Sequence, residues 1–116
     1  MAVADDPEQG GMYTDKVYNG NVAVIRHVVL GRAAEKQLRK VPQHVAAKLL
    51  EWIDSVEEEG LEETRKIRGY HDEPLKGDRE GQRSIRLSRS YRAVYAIVRW
   101  EAAEAVRIEG VSKHGY

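Results

Sequence analysis

Residues 75–98 read LKGDREGQRSIRLSRSYRAVYAIV, and this stretch decides the fold. Residues 82–89 alternate, with Ile85 and Leu87 pointing one way and Ser84, Arg86 and Ser88 the other. That pattern predicts a strand with one core face and one polar face. Residues 88–90 make a tight connection. Residues 91–100 are apolar on both parities except for Arg92 and Arg99, as in a central strand covered on both sides. Upstream, Pro74, Gly77 and Gly81 mark residues 70–81 as loop. The stretch holds Lys76, Arg79, Arg83, Arg86, Arg89 and Arg92 against Asp78 and Glu80, so an anionic ligand would meet the chain here first.

Working outward, residues 105–112 form a last strand with Val106 and Ile108 on one face, and Lys113, His114, Gly115 and Tyr116 end the chain. Toward the N-terminus, VAVIRHVVL at 22–30 is β-branched and apolar on both parities, which predicts a buried strand. Residues 31–40 follow as a short helix with Ala34, Leu38 and Val41 on its apolar stripe. Pro42 suits the start of a second helix, which runs to Glu59 with Val45, Leu49, Trp52, Ile53 and Val56 on one face. Gly60 is its stop, and residues 61–69 add a helical turn or two. The predicted fold is α+β: two N-terminal helices packed on one face of a small, mostly antiparallel four-stranded sheet. Residues 1–21 are Gly-rich and acidic and are expected to be a flexible extension, with Tyr13, Val17 and Tyr18 able to supply a docking segment. Residues 22–116 form the single domain.

The chain has 116 residues, of which 33% are charged and 41% hydrophobic, as in a globular domain with a charged surface. Cys is absent, which removes disulfides and thiolate metal sites. The start carries no hydrophobic leader and no apolar run is long enough to span a membrane, so a cytoplasmic protein is expected. Net charge is zero, but its distribution is polarised. Residues 1–21 hold Asp5, Asp6, Glu8 and Asp15 against Lys16, much of the remaining acid lies at 51–63, and much of the base at 76–99.

Arg92 is the most informative residue. Its guanidinium keeps its charge beside apolar neighbours of the same parity, so it needs an anion or acceptors. Arg86, on the polar face of the preceding strand, is within reach of the same ligand. Arg83 and Arg89 share parity with Ile85 and Leu87 and qualify as rim contacts. Lys76 and Arg79 lie in the glycine-flanked loop, where backbone N–H groups can also face a phosphate. The pattern GxxxxGK[ST] is absent. His114 can exchange a proton near neutral pH, and Tyr116 can stack or pass a proton. His27, His44, His71 and His114 show no metal-ligand spacing, and no GxSxG motif is present. Arginine forks with a His and a Tyr suit metal-independent phosphodiester cleavage, in which a 2′-hydroxyl attacks the adjacent phosphorus. No cofactor is expected.

Three pieces carry a resemblance: GRAAEKQLRKVPQHVAAKLLEWID, PLKGDREGQRSIRLSRSYRAVY and the terminal VSKHGY. Together they resemble the RelE/ParE superfamily of type II toxin–antitoxin toxins, and within it the HigB-like and RelE-like mRNA interferases. The resemblance covers residues 22–116. It implies an endoribonuclease that cleaves mRNA, often on the ribosome, and thereby inhibits translation. It also implies a cognate antitoxin held in a hetero-oligomeric complex. Arg92 matches the arginine after the aromatic residue of the family's YR pair, a phosphate-stabilising position. Arg86 matches a basic position in the preceding strand, and His114 or Tyr116 the C-terminal proton-transfer position. Lys76 falls in the PLKG loop. Lys76, Arg79, Arg83, Arg89 and Lys113 are expected RNA contacts. Unlike HigB-like members with HPLKG, this chain separates His71 from Pro74 by Asp72 and Glu73. The same fold also serves ParE-like gyrase inhibitors, which act by binding alone.

Overall fold

The structure, a computed structural model, describes residues 2–3 as backbone and residues 24–113 in full. Among the described residues six strands form one mixed sheet in the order β1-β2-β6-β5-β4-β3. They are β1 (Ala2–Val3), β2 (Val28–Leu30), β3 (Glu73–Pro74), β4 (Gln82–Arg86), β5 (Tyr91–Trp100) and β6 (Ala103–Lys113). The helices are α1 (Arg32–Leu38), α2 (Gln43–Glu59) and α3 (Leu61–Arg65). The α+β class holds, but among the described residues the sheet is mixed and six-stranded rather than four-stranded, with two parallel pairings beside three antiparallel ones, and a third helix is present. β2 runs parallel to both β1 and β6. The physical reason for the difference is local. β1 and β3 have two residues each, too few to show any periodicity, and the β2–β6 contact joins segments far apart in the chain. The β4-β5-β6 meander rests on neighbouring turns and is legible in sequence.

Of the expected 22–30 strand, residues 22–23 lie outside the described residues, and within 24–30 the strand is Val28–Leu30. The carbonyl of Ile25 instead accepts a hydrogen bond from Leu61 N at 2.8 Å, tying the chain to the α2–α3 junction. That junction turns on Gly60, at φ +91° and ψ 157°, whose N–H caps Val56 and whose carbonyl accepts from Thr64 Oγ1 at 2.9 Å. A Cβ at Gly60 would lie 2.5 Å from Val24 Cγ1. Left-handed backbone plus this overlap predicts that Gly60→Ala costs about 2 kcal/mol, read as a lowered midpoint in urea unfolding.

The two faces of the sheet are distinct. Val28, Leu30, Ile85, Ala93, Tyr95, Val106, Ile108 and Val111 face the helices and pack with Ala34, Val45, Leu49, Trp52, Ile53, Val56 and Leu61. The alternate residues, among them Arg92, Val94, Ala96, Val98 and Trp100 of β5, face away. β5 and β6 change register between Val94 and Tyr95: Val94 sits opposite Gly110, but Tyr95 opposite Ile108. Glu109 is therefore the extra residue of a β-bulge. Gln37 of α1 holds the bulge from the helix side, accepting from Val111 N at 2.6 Å.

Candidate nucleic-acid interface

The register of β4 and β5 brings together Arg92 and Arg86, two of the residues that the sequence singles out. They are directly opposed, and both lie on the face turned away from the helices. Ser112 of β6 is opposite Arg92 on the other side. Arg92 Nη1 donates to Ser84 Oγ at 2.9 Å and lies 3.6 Å from the Glu73 carboxylate. The Arg92 side chain is 20% exposed, enough for a ligand to reach its remaining donors. Arg86 is exposed and, among the described residues, donates a long 3.4 Å hydrogen bond to the Ser88 carbonyl. Like charges directly opposed across a sheet destabilise it. An anion seated between the two forks reverses that sign and takes up charge-assisted hydrogen bonds.

Glu73 belongs to this site and was missed in the sequence. Its strand β3 pairs it with Ser84, which in turn faces Val94, so its carboxylate arrives over the Arg92 row. The signal was the string Asp72-Glu73-Pro74. Proline marks an edge strand, and strand alternation sends the two carboxylates to opposite faces.

Asp72 goes to the helix side. Its side chain is 1% exposed, and it accepts from Arg83 Nε at 2.6 Å and from Tyr95 Oη at 2.5 Å. Arg83, expected among the RNA contacts, is thus turned away from Arg92 and clamps the loop before β3. Its pairing with Tyr95 across β4 and β5 fixes that face. Burial pulls the Arg83 pKa down, but its hydrogen bond and charge interaction with Asp72 outweigh this and raise it. The Tyr95 ring packs on Trp52 with centroids 4.9 Å apart. Burial, then the adjacent Asp72 charge and hydrogen bond, raise the Tyr95 pKa far above its ordinary 10.0.

This has a pH consequence with a definite sign. Below about pH 10 the phenol is neutral in folded and unfolded chains alike, and its contribution is fully present. Above that the unfolded chain ionises first, so stability falls as pH rises toward the folded pKa. Tyr95→Phe is expected to lose about 1–2 kcal/mol near neutrality, for one hydrogen bond to a carboxylate. It should also show a shallower loss between pH 8 and about pH 11, measured by urea unfolding at both.

The remaining expected contacts lie around the rim. Lys76 is exposed, and so is Arg79, whose Nε donates to Gln82 Oε1 at 3.1 Å. Arg89 is exposed in the 87–91 turn, where Ser88 Oγ accepts from the N–H groups of Ser90 and Tyr91. Lys113 is exposed at the end of β6 opposite Tyr91, one residue past Ser112. His114 and Tyr116 lie outside the described residues. His71 is exposed in a left-handed turn at φ 47°. Among the described residues no group of three or more His, Asp or Glu side chains is arranged to hold a metal, and no helix is long and apolar enough to cross a membrane.

Solved structures share this fold. A YoeB/ParE toxin from Agrobacterium tumefaciens superposes with a TM-score of 0.59 at 18% identity, covering 77% of this chain and 99% of that one. The chain has the RelE/ParE fold. A RelE–RelB complex from the archaeon Pyrococcus horikoshii matches at TM-score 0.57 and 22% identity, over 77% of this chain and 94% of that one. A YoeB dimer from Staphylococcus aureus matches at 0.56 and 18%, over 81% and 100%. At these identities the likeness establishes the RelE/ParE fold and leaves the chemistry to be argued from the residues. No protein-family model and no curated protein matches the sequence.

Proposed function

We propose that this chain is the toxin of a type II toxin–antitoxin pair and acts as a metal-independent endoribonuclease on mRNA. The observation that carries the reading is the opposed pair Arg86 and Arg92 with Ser84 and the Glu73 carboxylate on one exposed sheet face. The forks hold the scissile phosphate and stabilise charge that develops on its oxygens. Glu73 is placed to take the 2′-hydroxyl proton as that oxygen attacks phosphorus. The bond to the 5′-oxygen breaks, and this leaving oxygen takes a proton from an acid, the role assigned to His114 or Tyr116. The products are a 2′,3′-cyclic phosphate and a free 5′-hydroxyl. The RelE–RelB structure and other toxin–antitoxin complexes of this fold support a cognate antitoxin as partner. A chain with no net charge has little generic affinity for RNA, so the ribosome supplies much of the positioning.

Expression in cells followed by mapping of mRNA ends tests the reading. Cuts inside translated codons are expected. Intact mRNA with gyrase-linked DNA damage would replace it with ParE-like inhibition. Glu73→Gln is expected to slow single-turnover cleavage by about 10²–10⁴-fold, the usual contribution of a general base, with RNA binding retained. A rate equal to that of the parent would remove Glu73 from the mechanism.

A further inference from the structure

β2 pairs with β6 as far as Leu30 opposite Ile108. Beyond Ile108 the flank of β6 belongs to α1, fixed there by two hydrogen bonds. Gly31 N donates to the Ile108 carbonyl at 2.9 Å, and Gln37 Oε1 accepts from Val111 N at 2.6 Å. Ser112 follows Val111 and is opposite Arg92, which is opposite Arg86. Arg86, Arg92, Ser112 and α1 therefore succeed one another across one end of the sheet, with about 4.8 Å between neighbouring strands. Helical phase sets what α1 shows there, at about 100° per residue. Gln37 points at β6. The buried Ala34 and the core-packed Leu38 lie about 60–100° to one side of it, toward the helix-side core. Lys36 and Lys40 lie about 60–100° to the other side, toward the face that displays Arg92, and both are exposed. Lys40 keeps this phase because Arg39 is still αR and Lys40 N donates to the Gln37 carbonyl at 2.9 Å.

The zero net charge conceals a basic surface here. Residues 24–50 carry Arg26, Arg32, Lys36, Arg39, Lys40 and Lys48 against the single Glu35. Glu35 is paired with Arg39 at 2.7 Å on the far side of the helix, and among the described residues no ion pair involves Lys36 or Lys40. The exposed large hydrophobic residues are Val24, Leu50 and Ile67, none of them on α1. This surface therefore lacks the apolar centre of a protein interface and suits a phosphate backbone.

We propose that α1 extends the anion site: Lys36 and Lys40 hold phosphates of the same single-stranded RNA whose scissile phosphate lies between Arg86 and Arg92. The RNA strand then crosses the sheet from β4 over Ser112 to α1, at right angles to the β-strands. This rests on the RNA reading above and adds a second group of contacts to it. The arginine pair acts at the reacting phosphate, and the lysines grip the strand downstream or upstream of it without touching the reacting atoms.

The test measures binding of the full chain to two single-stranded 2′-O-methyl RNA oligonucleotides, which are not cut, of about four and about ten nucleotides. The parent is expected to bind the longer one more tightly. Lys36→Gln with Lys40→Gln should weaken the longer one about tenfold at low salt and leave the shorter one unchanged. The slope of log Kd against log salt should fall by about 1.4 for the longer one, the value for two phosphate contacts on a single strand. The charge-matched pair Lys66→Gln with Arg99→Gln changes exposed residues beyond α3 and at the far end of β5, and should keep the full length effect. An equal loss on both lengths, or no loss on either, overturns the extended site. Lysine-dependent binding to small ribosomal subunits with no length effect on free RNA assigns the lysines to a structural RNA and also overturns it. Arg92→Ala should weaken both oligonucleotides. If it weakens neither while the lysine effect persists, the placement of the scissile phosphate fails and the lysine site stands. A parent that binds neither oligonucleotide overturns both.

Discussion

Arg92→Ala is expected to reduce RNA cleavage by about 10²–10³-fold, the cost of removing one preorganised donor from a developing oxyanion. The fold should survive. Arg92 is partly exposed, and its hydrogen bond is to the neutral Ser84 hydroxyl, so its loss costs about 1 kcal/mol. The opposed Arg86 then loses a like-charged neighbour, which offsets part of that cost. Arg92→Lys should recover only a fraction of the rate, because an ammonium keeps the charge but not the planar fork. Single-turnover cleavage of a short RNA, with circular dichroism on each variant, checks both. Antitoxin binding should be unchanged. Undiminished cleavage in Arg92→Ala would sink the proposed mechanism.

Asp72→Ala is expected to be the most damaging single change to stability, at about 3–5 kcal/mol, the range for removing one partner of a buried ion pair. Asp72 is nearly inaccessible and serves two donors at once, Arg83 Nε and Tyr95 Oη. Without it the buried phenol loses its carboxylate acceptor, and the half-buried guanidinium keeps the long 3.4 Å bond to the carbonyl of residue 72. The adjacent residue is Glu73, so the loop that delivers a carboxylate to Arg92 loosens in the same variant. Urea unfolding measures the stability loss. In a double-mutant cycle Asp72→Ala and Tyr95→Phe should be strongly non-additive, because each removes the same hydrogen bond. Additive effects would show that the two side chains act independently and that the clamp is not a unit.

The sequence made the meander and its arginines legible because their signals are local. Alternation through Ser84, Ile85 and Arg86 fixed two faces, and the 91–100 strand was bounded correctly by its own apolar run. The α2 helix and its stop at Gly60 were likewise written in one amphipathic face and one left-handed residue. What stayed hidden depends on contacts across long stretches of chain. The parallel placement of β2 against β6, the two-residue strands β1 and β3, and the Asp72 clamp have no periodic trace. Arg83 shows the limit of parity taken alone. Its parity with Ile85 pointed to the helix side, yet an arginine there makes sense only once Asp72 is known to arrive from another loop. Glu73 was missed for the same reason, since its two-residue strand gives no pattern to follow.

The bulge at Glu109 also sets the phase of the end of the chain. Up to Arg107 the odd-numbered residues of β6 share the face of Trp100 and Ala96; past Glu109 the even-numbered ones do. Val111 is thereby turned into the core and Ser112 brought beside Arg92. One inserted residue works as a half-turn in the wiring between the sheet and its terminus. Its lock, Gln37, sits 74 positions before Val111, whose N–H hydrogen bond it accepts. A deletion at Glu109 would leave every residue type at the C-terminus intact and still present the opposite set of side chains to the arginine pair. Composition near the terminus is therefore a poor guide to activity in chains of this shape unless the register before it is also known.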